Sequence, residues 1–330
     1  MSKNYQPDSK TPLNSYLKQY FGYDQFRQNQ SKIIQTILNK NDLLAVLPTG
    51  GGKSICYQLP GLIKPGLTLV ISPLISLMAD QVSALQKKEI SATFINSSIS
   101  LKEKRLRFKQ LKQETYKFLY LAPERLSSKK IINILSQIKI NQIAIDEAHC
   151  ISLWGHDFRP SYLHIKKFIK TLKKRPIISA FTATATNLVK QDIIKSLDLN
   201  QPKIFANQSL RTNLQLNIEA ANSLGEKEVK LAKILSLNSG KTGIIYCSTV
   251  KNTCYLANWI NKLNFNQQLC QTKVHNYHGR LAADEKNLIQ EKFMKGKIDL
   301  ICATNAFGMG IDKDNIRFVI HYDMPGSLEN

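Results

Sequence analysis

A glycine-rich loop that ends in a lysine and a serine follows an apolar run near the start of the chain. After residues 43–47, which are all apolar, the sequence reads Pro48-Thr49-Gly50-Gly51-Gly52-Lys53-Ser54, and a helical pattern then begins. Glycines let backbone N–H groups turn towards phosphate oxygens, a lysine can reach the β and γ phosphates, and a serine hydroxyl can bind Mg²⁺. A structural turn would explain the glycines, but not the Lys-Ser pair between a strand and a helix. The pattern predicts a nucleotide phosphate site made of Thr49, Gly50, Gly51, Gly52, Lys53 and Ser54.

Two adjacent carboxylates end a second apolar run, residues 143–145. The sequence there continues as Asp146-Glu147-Ala148-His149. Asp146 is suited to bind Mg²⁺ together with Ser54, and Glu147 is suited to act on an attacking water. Acidic pairs at strand ends are also common as solvated caps or ion-pair partners, but a phosphate loop about 90 residues earlier favours the chemical role. Lys53, Asp146 and Glu147 are therefore the predicted catalytic residues, with ATP and Mg²⁺ as cofactors.

A loop rich in aromatic residues, 150–162, runs directly out of the acidic pair. It contains Trp154, His156, Phe158 and Arg159 in a stretch punctuated by Gly and Pro. Rings and a guanidinium group can stack on unpaired bases, and a cation can meet phosphate. A loop packed into the core by its aromatic rings is the alternative for any single ring. The ordered string favours contact with nucleic acid.

The overall charge is consistent with a polyanionic partner without deciding the matter. Lys and Arg total 46 against 24 Asp and Glu, which gives a net charge of +22. Such an excess suits nucleic acid. Much of it is lysine in a chain also rich in Ile and Asn, so a biased genome and a solvated surface explain it equally well.

The cysteines and the apolar runs limit the class of protein. The six cysteines are scattered and form no C-x-x-C pair, which argues against a cysteine-held metal and for free thiols in a reducing compartment. No apolar run approaches the roughly 18 residues needed to cross a bilayer. We expect a protein of the bacterial cytoplasm, associated with the nucleoid, or of the nucleus in a eukaryote, with no membrane partner.

Alternating strand and helix patterns must position these residues. Apolar runs predict strands at residues 43–47, 67–71, 118–121, 143–145 and 177–181, and helical spacing predicts helices at 74–85 and 101–111. A polar segment, 201–213, is the predicted linker. A second series follows, with strands at 243–247, 274–277, 298–303 and 316–321 and helices at 252–263 and 284–294. Alternation of this kind predicts parallel sheets covered on both faces, and the length of 330 residues predicts two units.

The order of the motifs resembles that of superfamily 2 helicases and, within them, of RecQ-type DNA helicases, over roughly residues 14 to 328. Further similar stretches lie at 71–81, 121–126, 181–186, 243–249 and 303–312. The resemblance implies an α/β fold of two RecA-like parallel-sheet lobes of the P-loop NTPase type with a cleft between them. We assign the ATP-binding lobe to residues 1–206 and the C-terminal lobe to 207–330. The resemblance also implies an ATP-dependent 3′ to 5′ DNA helicase of repair or recombination that translocates on single-stranded DNA and unwinds forked duplexes.

The resemblance also implies roles for particular residues. Tyr23 and Arg27 would flank the adenine, Gln30 would hydrogen-bond its edge, and Asp312 would help to place the nucleotide. Without the family, residues 21–30 are equally typical of an aromatic staple at a helix start. Contact with DNA, or its coupling to hydrolysis, would fall to His149, Trp154, His156, Phe158, Arg159, Ser248 and Thr249.

The sequence departs from the family pattern at several positions. Val250 stands in place of a usual Arg, residues 278–281 read His-Gly-Arg-Leu instead of His-Ala-Gly-Leu, and Thr212 replaces a common Pro. The chain also ends at Asn330, before the Gln-x-x-Gly-Arg-x-Gly-Arg motif that carries the family's arginine finger. We therefore expect these residues to bind ATP and single-stranded DNA without unwinding a duplex. A DEAH-type RNA helicase and a nucleic-acid-binding module without useful ATPase activity are the rival hypotheses.

Overall fold

The computed structural model describes residues 12–48, 50–96, 99–155, 157–206, 213–265, 274–307, 311 and 313–324. The chain divides into two compact units. The described residues of unit 1 run from 12 to 206, and those of unit 2 from 213 to 324. Each unit is built on its own parallel sheet.

Unit 1 contains seven parallel strands among its described residues, in the spatial order β3-β4-β2-β5-β6-β1-β7. The strands are β1 Leu43–Val46, β2 Leu67–Ile71, β3 Ala92–Ile95, β4 Phe118–Leu121, β5 Ile140–Ile145, β6 Ile177–Thr182 and β7 Lys203–Ala206. The helices are α1 Leu13–Phe21, α2 Gln30–Leu38, α3 Lys53–Ile63, α4 Ile75–Gln86, α5 Leu101–Lys112, α6 Lys129–Leu135, α7 Leu163–Thr171 and α8 Asn187–Leu197. Short 3₁₀ turns lie at Pro123–Ser127, Ala148–Ile151 and Pro160–Tyr162.

Both faces of this sheet are buried, which explains the continuous apolar runs of its strands. Along β1, Leu43 and Ala45 belong to one hydrophobic cluster, whereas Leu44 belongs to the cluster on the opposite face. The same alternation holds in β2, where Leu69 and Val70 contact opposite clusters. Since all the strands are parallel, the carboxyl ends of β1, β2, β5 and β6 meet at one edge of the sheet. Ligands of open α/β sheets bind at this edge.

Unit 2 contains four parallel strands among its described residues, in the order β11-β8-β10-β9. Its elements are α9 Leu224–Leu237, β8 Thr242–Tyr246, α10 Val250–Phe265, β9 Val274–Tyr277, α11 Ala283–Met294, β10 Leu300–Ala303 and β11 Ile316–His321. Cys302 and Ile301 in β10 face opposite hydrophobic clusters, so this sheet is also covered on both sides. The predicted α/β fold of two parallel-sheet lobes is confirmed.

The predicted linker is wrong in its first part, because residues 203–206 form β7. This strand pairs with β1, and Phe205 packs against a core cluster of unit 1. The strand lies at the edge of the sheet, where Ile204 is 52% exposed, and its polar flanks conceal it in the sequence. Residues 207–212, which complete the proposed linker and include Thr212, lie outside the described part. No helix among the described residues is long and apolar enough to cross a bilayer.

Strand β5 starts three residues earlier than predicted because a polar residue is buried in it. Gln142 is 1% exposed, and its side-chain amide donates a hydrogen bond to the hydroxyl of Ser179 on the neighbouring strand, at 2.8 Å. A buried amide is stable only when it is paired in this way. The periodicity of apolar residues cannot show such a pairing, so the predicted strand began only at Ile143.

Candidate nucleotide site and its adjoining loop

The glycine-rich loop leads from the carboxyl end of β1 into α3, which begins at Lys53. Gly50 and Gly52 have left-handed backbones with φ of 75° and 76°. A Cβ atom on Gly52 would lie 2.2 Å from Gln30 Nε2, and one on Gly51 would lie 2.8 Å from the Pro48 carbonyl oxygen. Glycine is thus required both for backbone conformation and for space. Thr49 lies outside the described residues.

The two predicted carboxylates follow β5 at the same edge of the sheet. Lys53 Nζ lies 3.8 Å from Glu147 Oε1, and both side chains are largely buried. Asp146 is 8% exposed, and its Oδ1 accepts a hydrogen bond from the Glu147 backbone N–H at 3.0 Å. The Tyr162 hydroxyl donates to the Asp146 carbonyl at 2.9 Å. Lysine and both acids therefore lie together, as the spacing of the motifs predicts.

Glu147 has a left-handed backbone, with φ of 46° and ψ of 47°. This conformation is uncommon for a residue with a long side chain and is found where surrounding contacts hold it in place. Glu147 directly precedes the 3₁₀ turn Ala148–Ile151, shortly after the end of β5. Glu147 Oε2 lies 3.3 Å from His149 Nδ1.

Asp146 is a buried carboxyl group beside a second carboxylate. Burial raises its pKa above the usual value, the charge of Glu147 raises it further, and Lys53 opposes the increase. A dry, acidic position of this kind favours a bound cation, because the cation compensates the charge that burial disfavours. The site is suited to a divalent metal that accompanies a nucleotide.

We expect Asp146→Asn to stabilise the nucleotide-free protein while weakening binding of the magnesium nucleotide. The raised pKa means that the folded state holds the proton more tightly than the unfolded state, so ionisation of Asp146 costs stability as pH rises from the unfolded towards the folded pKa. Asparagine avoids that cost and keeps the Oδ1 acceptor. We expect a gain of about 1 to 2 kcal/mol at neutral pH, or a few degrees in the unfolding midpoint.

Differential scanning fluorimetry without nucleotide, at several pH values, tests this prediction. The gap between variant and wild type should shrink as pH falls from about 7.5 towards about 4, because the folded state then holds the proton on Asp146 and the unfolded state begins to take it up as well. Asp314→Asn, an exposed carboxylate just before β11, is the control. A lower midpoint for Asp146→Asn than for wild type at neutral pH would contradict the electrostatic account.

The predicted adenine motif reaches the glycine-rich loop directly. The Gln30 amide is 2% exposed; it donates to the Gly52 carbonyl at 3.1 Å and accepts from the Arg27 N–H at 2.8 Å. The Arg27 guanidinium donates to the Gly50 carbonyl. Tyr23, in contrast, is 53% exposed. Arg27 and Gln30 thus brace two loop carbonyls, while Tyr23 presents a free ring face.

The aromatic-rich loop is exposed at its tip and anchored at its end. Trp154 is 70% exposed. The Arg159 guanidinium donates two hydrogen bonds to Asp157 Oδ2, at 2.8 and 2.9 Å, and a third to the Pro73 carbonyl at 3.2 Å. Phe158 is half-buried, and His156 lies outside the described residues. The loop is thereby fastened to the segment that follows β2, with Trp154 facing solvent.

His149 is buried between the acidic pair and β6. Thr182 Oγ1 donates to the Thr184 carbonyl, so it accepts from His149 Nδ1 at 2.8 Å. The same nitrogen lies 3.3 Å from Glu147 Oε2. At 6% exposure the ring is not a surface for DNA. It is instead a hydrogen-bonded link from Glu147 to the residues between β6 and α8.

Comparison with known protein families supports this arrangement independently. A family model described as DEAD/DEAH box helicase matches residues 27–191, and one described as helicase conserved C-terminal domain matches residues 226–330. The chain belongs to the DEAD/DEAH box helicase family. The residues of the candidate nucleotide site described above lie within the first match, apart from Tyr23.

The resemblance to RecQ-type helicases is also confirmed. The ATP-dependent DNA helicase RecQ of Bacillus subtilis (strain 168) is 42% identical over 317 residues, which are 96% of this chain and 52% of that protein. The chain thus spans about half the length of this relative.

Solved structures of other helicases share the fold. The helicase MrfA bound to DNA and AMPPNP has a TM-score of 0.75 at 17% identity, covering 98% of this chain and 48% of that chain. Dbp5 of S. cerevisiae bound to RNA and ADP BeF3 has a TM-score of 0.67 at 19% identity, covering 96% of this chain and 80% of that chain. Likeness at this identity concerns the fold alone. Since one neighbour holds DNA and the other RNA, the fold does not distinguish the two nucleic acids.

In unit 2 of this family member, the predicted DNA-contacting pair begins α10. Thr249 Oγ1 accepts from the Asn252 N–H at 3.1 Å, as an N-terminal helix cap does. The Ser248 hydroxyl and backbone N–H both donate to Asp323 Oδ2 at 2.9 Å. Asp323 also pairs with Lys227 at 3.2 Å. Asp312 lies outside the described residues.

Sequence reasoning missed the carboxylates that hold these loops. Asp157 anchors Arg159, and Asp323 anchors Ser248 from 75 residues away. A signal exists for Asp157, which stands two residues before the arginine in the aromatic-rich loop. Asp323 gives no local signal, because its partners come from α9 and the start of α10.

One further cluster combines ligand types found at metal sites. Donor atoms of His149, Cys150 and Asp157 lie within 4.8 Å of one another. Asp157 is engaged by Arg159 here, and burial, followed by the charge of Asp157, raises the pKa of Cys150 well above its usual range. A metal ion at this cluster would therefore have to displace the thiol proton of Cys150 and compete with Arg159 for Asp157.

Proposed function

We propose that the chain is the ATP-driven motor of a RecQ-type DNA helicase, which couples ATP hydrolysis to 3′ to 5′ translocation on single-stranded DNA and to duplex unwinding. One observation carries the proposal. The exposed aromatic loop runs directly out of Asp146 and Glu147 and is fastened by Arg159 to the end of β2. The loop suited to contact unpaired bases thus follows directly in the chain after the residues suited to hydrolysis.

The roles at the phosphate end follow from the geometry. Lys53 would neutralise the β and γ phosphates of ATP, and backbone N–H groups of Gly50, Gly51 and Gly52 would surround them. Ser54 and Asp146 would hold Mg²⁺, which supplies charge stabilisation in phosphoryl transfer. Glu147, released from its long contact with Lys53, would orient the attacking water and take its proton. The position of Thr49 in this loop stays a prediction.

The proposed contacts to adenine are made by the residues that hold the glycine-rich loop. Arg27 and Gln30 already hydrogen-bond Gly50 and Gly52 carbonyls, so adenine contacts made by the same side chains would be sensed at the phosphates. The exposed ring of Tyr23 would cover one face of the base. The part assigned to Asp312 stays a prediction.

The proposed coupling runs through His149. Its Nδ1 contacts both Glu147 and Thr182, and Thr186, the end of the same segment, caps α8 by accepting from Val189 N–H at 3.3 Å. A shift of the aromatic loop on DNA would move His149, which is separated from Trp154 by a short stretch of chain. Trp154, His156 and Phe158 would meet bases, and Ser248 and Thr249 would contact the strand from unit 2.

The partner and its location belong to the same proposal. Forked or single-stranded DNA is favoured over RNA because the relative with 42% identity is named as a DNA helicase. Action at the chromosome, in bacterial cytoplasm or a eukaryotic nucleus, follows from that function. The RNA helicase alternative is supported by fold likeness alone.

Steady-state ATP turnover with single-stranded DNA, with single-stranded RNA of the same sequence, and with neither, tests the function. We expect DNA to stimulate turnover more strongly than RNA. Stronger stimulation by RNA would favour the RNA helicase, and the same low turnover under all three conditions would favour a binding module. Lys53→Ala should remove the stimulated turnover and serves to exclude a contaminating ATPase.

We expect Trp154→Ala to uncouple hydrolysis from DNA with a modest loss of DNA affinity. Stacking on one ring contributes about 1 to 3 kcal/mol, whereas several phosphate contacts persist elsewhere. The ratio of DNA-stimulated to basal turnover should therefore fall more than the affinity does. Turnover titrations and fluorescence anisotropy with the same oligonucleotide measure the two effects.

Leu153→Ala is the matched control for the loop. Leu153 is 71% exposed and adjacent to Trp154, but it has no aromatic face. We expect it to keep the wild-type stimulation. Equal stimulation in the wild type and Trp154→Ala would mean that the ring does not couple DNA to hydrolysis.

A further inference from the structure

A cysteine, a histidine and an asparagine meet in unit 2. Cys254 on α10 has its Sγ 3.5 Å from His278 Nε2 and 3.4 Å from Asn276 Nδ2. Asn276 Nδ2 also lies 3.2 Å from His278 Nε2. Asn276 belongs to β9 and His278 follows it directly, so packing of α10 on this strand brings the three side chains together.

The hydrogen-bond directions fix what this cluster can do. The Asn276 amide N–H donates to Cys254 Sγ. Nε2 of His278 has a single lone pair, which can accept from the Cys254 S–H when the Asn276 amide is directed at Sγ. If the thiol proton moves to Nε2, the resulting thiolate faces two donors, the imidazolium N–H and the asparagine amide. Donors aimed at a sulfur stabilise its anionic form.

The histidine has one unused nitrogen. His278 is 7% exposed, and its Nδ1 has no hydrogen-bond partner among the described residues. A buried polar atom without a partner costs stability and calls for an explanation. A core histidine with a purely structural role would have both nitrogens paired, whereas this ring has only the nitrogen that faces Cys254 and Asn276 in use.

Cys254 differs from every other cysteine in the described part of the chain. Cys56, Cys150, Cys247 and Cys302 are all buried, whereas Cys254 is partly exposed. Burial raises the pKa of Cys56 to about 12 and that of Cys247 to about 11. Cys150 also lies beside a histidine, with Sγ 3.7 Å from His149 Nε2, but it is buried and faces the carboxylate of Asp157. Cys254 thus combines partial exposure to solvent with a nearby proton acceptor, His278, and a hydrogen-bond donor that can stabilise the thiolate, Asn276.

We propose that Cys254 is a reactive thiol, activated by His278 and Asn276, that is oxidised by hydroperoxides. The thiol proton passes to His278 Nε2, and the thiolate attacks one oxygen of the peroxide. The S–O bond forms as the O–O bond breaks; the leaving hydroxide takes the proton back from the imidazolium and departs as water. Sulfur is oxidised to a sulfenic acid, and the peroxide is reduced.

The expected rate follows from ionisation. The thiolate is the form that attacks a peroxide, and a base beside the thiol together with a donor aimed at Sγ favours transfer of the thiol proton as the sulfur attacks. We expect Cys254 to react with hydrogen peroxide about tenfold faster than glutathione does.

The experiment measures sulfenic acid at each cysteine of the full chain. The protein is treated with hydrogen peroxide in the presence of dimedone, which traps sulfenic acids, and is then digested with trypsin. Each of the six cysteines falls in a different peptide between Lys or Arg residues, so mass spectrometry resolves all of them, including Cys270. Glutathione under the same conditions gives the reference rate.

The rate of Cys254 oxidation in the wild-type protein tests the proposal without any variant. Oxidation of Cys254 about tenfold faster than glutathione supports it, and oxidation no faster than glutathione overturns it. His278→Gln and His278→Asn should each slow Cys254 at least tenfold, because neither amide accepts the thiol proton.

Two buried cysteines report on the folding of those variants. Cys302 is fully buried and Cys247 is 3% exposed, both in the core of unit 2. Iodoacetamide should leave them unmodified in a folded variant. An unchanged Cys254 rate in a variant with Cys247 and Cys302 protected also overturns the proposal; where both variants expose these cysteines, the comparison of wild type with glutathione decides alone.

Discussion

Substitution of Lys53 by alanine should weaken binding of the magnesium nucleotide by about 100-fold or more. Hydrogen bonds between a charged donor and phosphate contribute about 1.5 to 3 kcal/mol, and loss of about 2.7 kcal/mol corresponds to two orders of magnitude. No other lysine or arginine lies in the glycine-rich loop. The variant also leaves Asp146 and Glu147 without the cation that offsets their charge. Titration with a fluorescent ATP analogue measures the affinity.

Lys112→Ala provides the control for this substitution. Lys112 is an exposed lysine at the end of α5, so its removal changes the net charge equally without touching the site. Its nucleotide affinity should match that of the wild type. Equal affinity in the wild type and Lys53→Ala, with both proteins folded, would contradict the assignment of the phosphate site.

Glu147→Gln should separate binding from hydrolysis. Glutamine keeps the size of the side chain and leaves Asp146 available for Mg²⁺, but it cannot accept a proton. Removal of a general base lowers rates by about 10² to 10⁴. We expect DNA-stimulated turnover to fall within that range, whereas nucleotide affinity should change by less than about tenfold, because Glu147 contacts Lys53 only at 3.8 Å.

Steady-state turnover and nucleotide titration on the same preparation measure both effects. Glu114→Gln, at an exposed turn after α5, serves as the matched control and should behave as wild type. A Glu147→Gln protein that hydrolyses ATP at the wild-type rate would remove Glu147 from the proposed chemistry. A large loss of affinity instead would mean that Glu147 acts in binding.

The sequence predicted which candidate residues the fold brings together where residue type and local order coincide. Lys53 and Ser54 belong to a contiguous loop, and Asp146 and Glu147 end an apolar strand, so residue type and spacing were sufficient. The parallel topology explains why residues almost a hundred positions apart meet. Strands β1 and β5 both pair directly with β6, so their carboxyl ends lie close together. The alternation of strands and helices predicted that topology directly.

The parts that were missed depend on pairing that no local pattern reveals. Gln142 is polar but belongs to a buried strand, where the Ser179 hydroxyl on the next strand accepts a hydrogen bond from its amide nitrogen. Strand β7 is short and flanked by polar residues, and only its pairing with β1 defines it. Asp323 holds Ser248, and His278 meets Cys254 from 24 residues away. These contacts are products of the tertiary fold.

The side chains also refine what each predicted residue can do. His149 was grouped with the residues for DNA contact or for its coupling to hydrolysis, and its burial and its hydrogen bond to Thr182 suit the coupling role, as a link between the acidic pair and β6. Arg159 already holds Asp157 and the Pro73 carbonyl, so its charge is partly occupied in fixing the loop. Trp154 is the most exposed aromatic ring of the loop among the described residues. It is therefore the best single probe of DNA contact.

The affinity for single-stranded DNA, with and without a non-hydrolysable ATP analogue, tests the central claim most directly. In a motor the bound nucleotide must change the affinity for DNA. Coupling between two binding sites typically changes each affinity by about 5- to 150-fold, and the effect is reciprocal. We predict at least about a fivefold change in the DNA dissociation constant of the wild type, measured by fluorescence anisotropy, and no change in Lys53→Ala. The same dissociation constant for the wild type in both nucleotide states would contradict the account of an ATP-driven DNA motor.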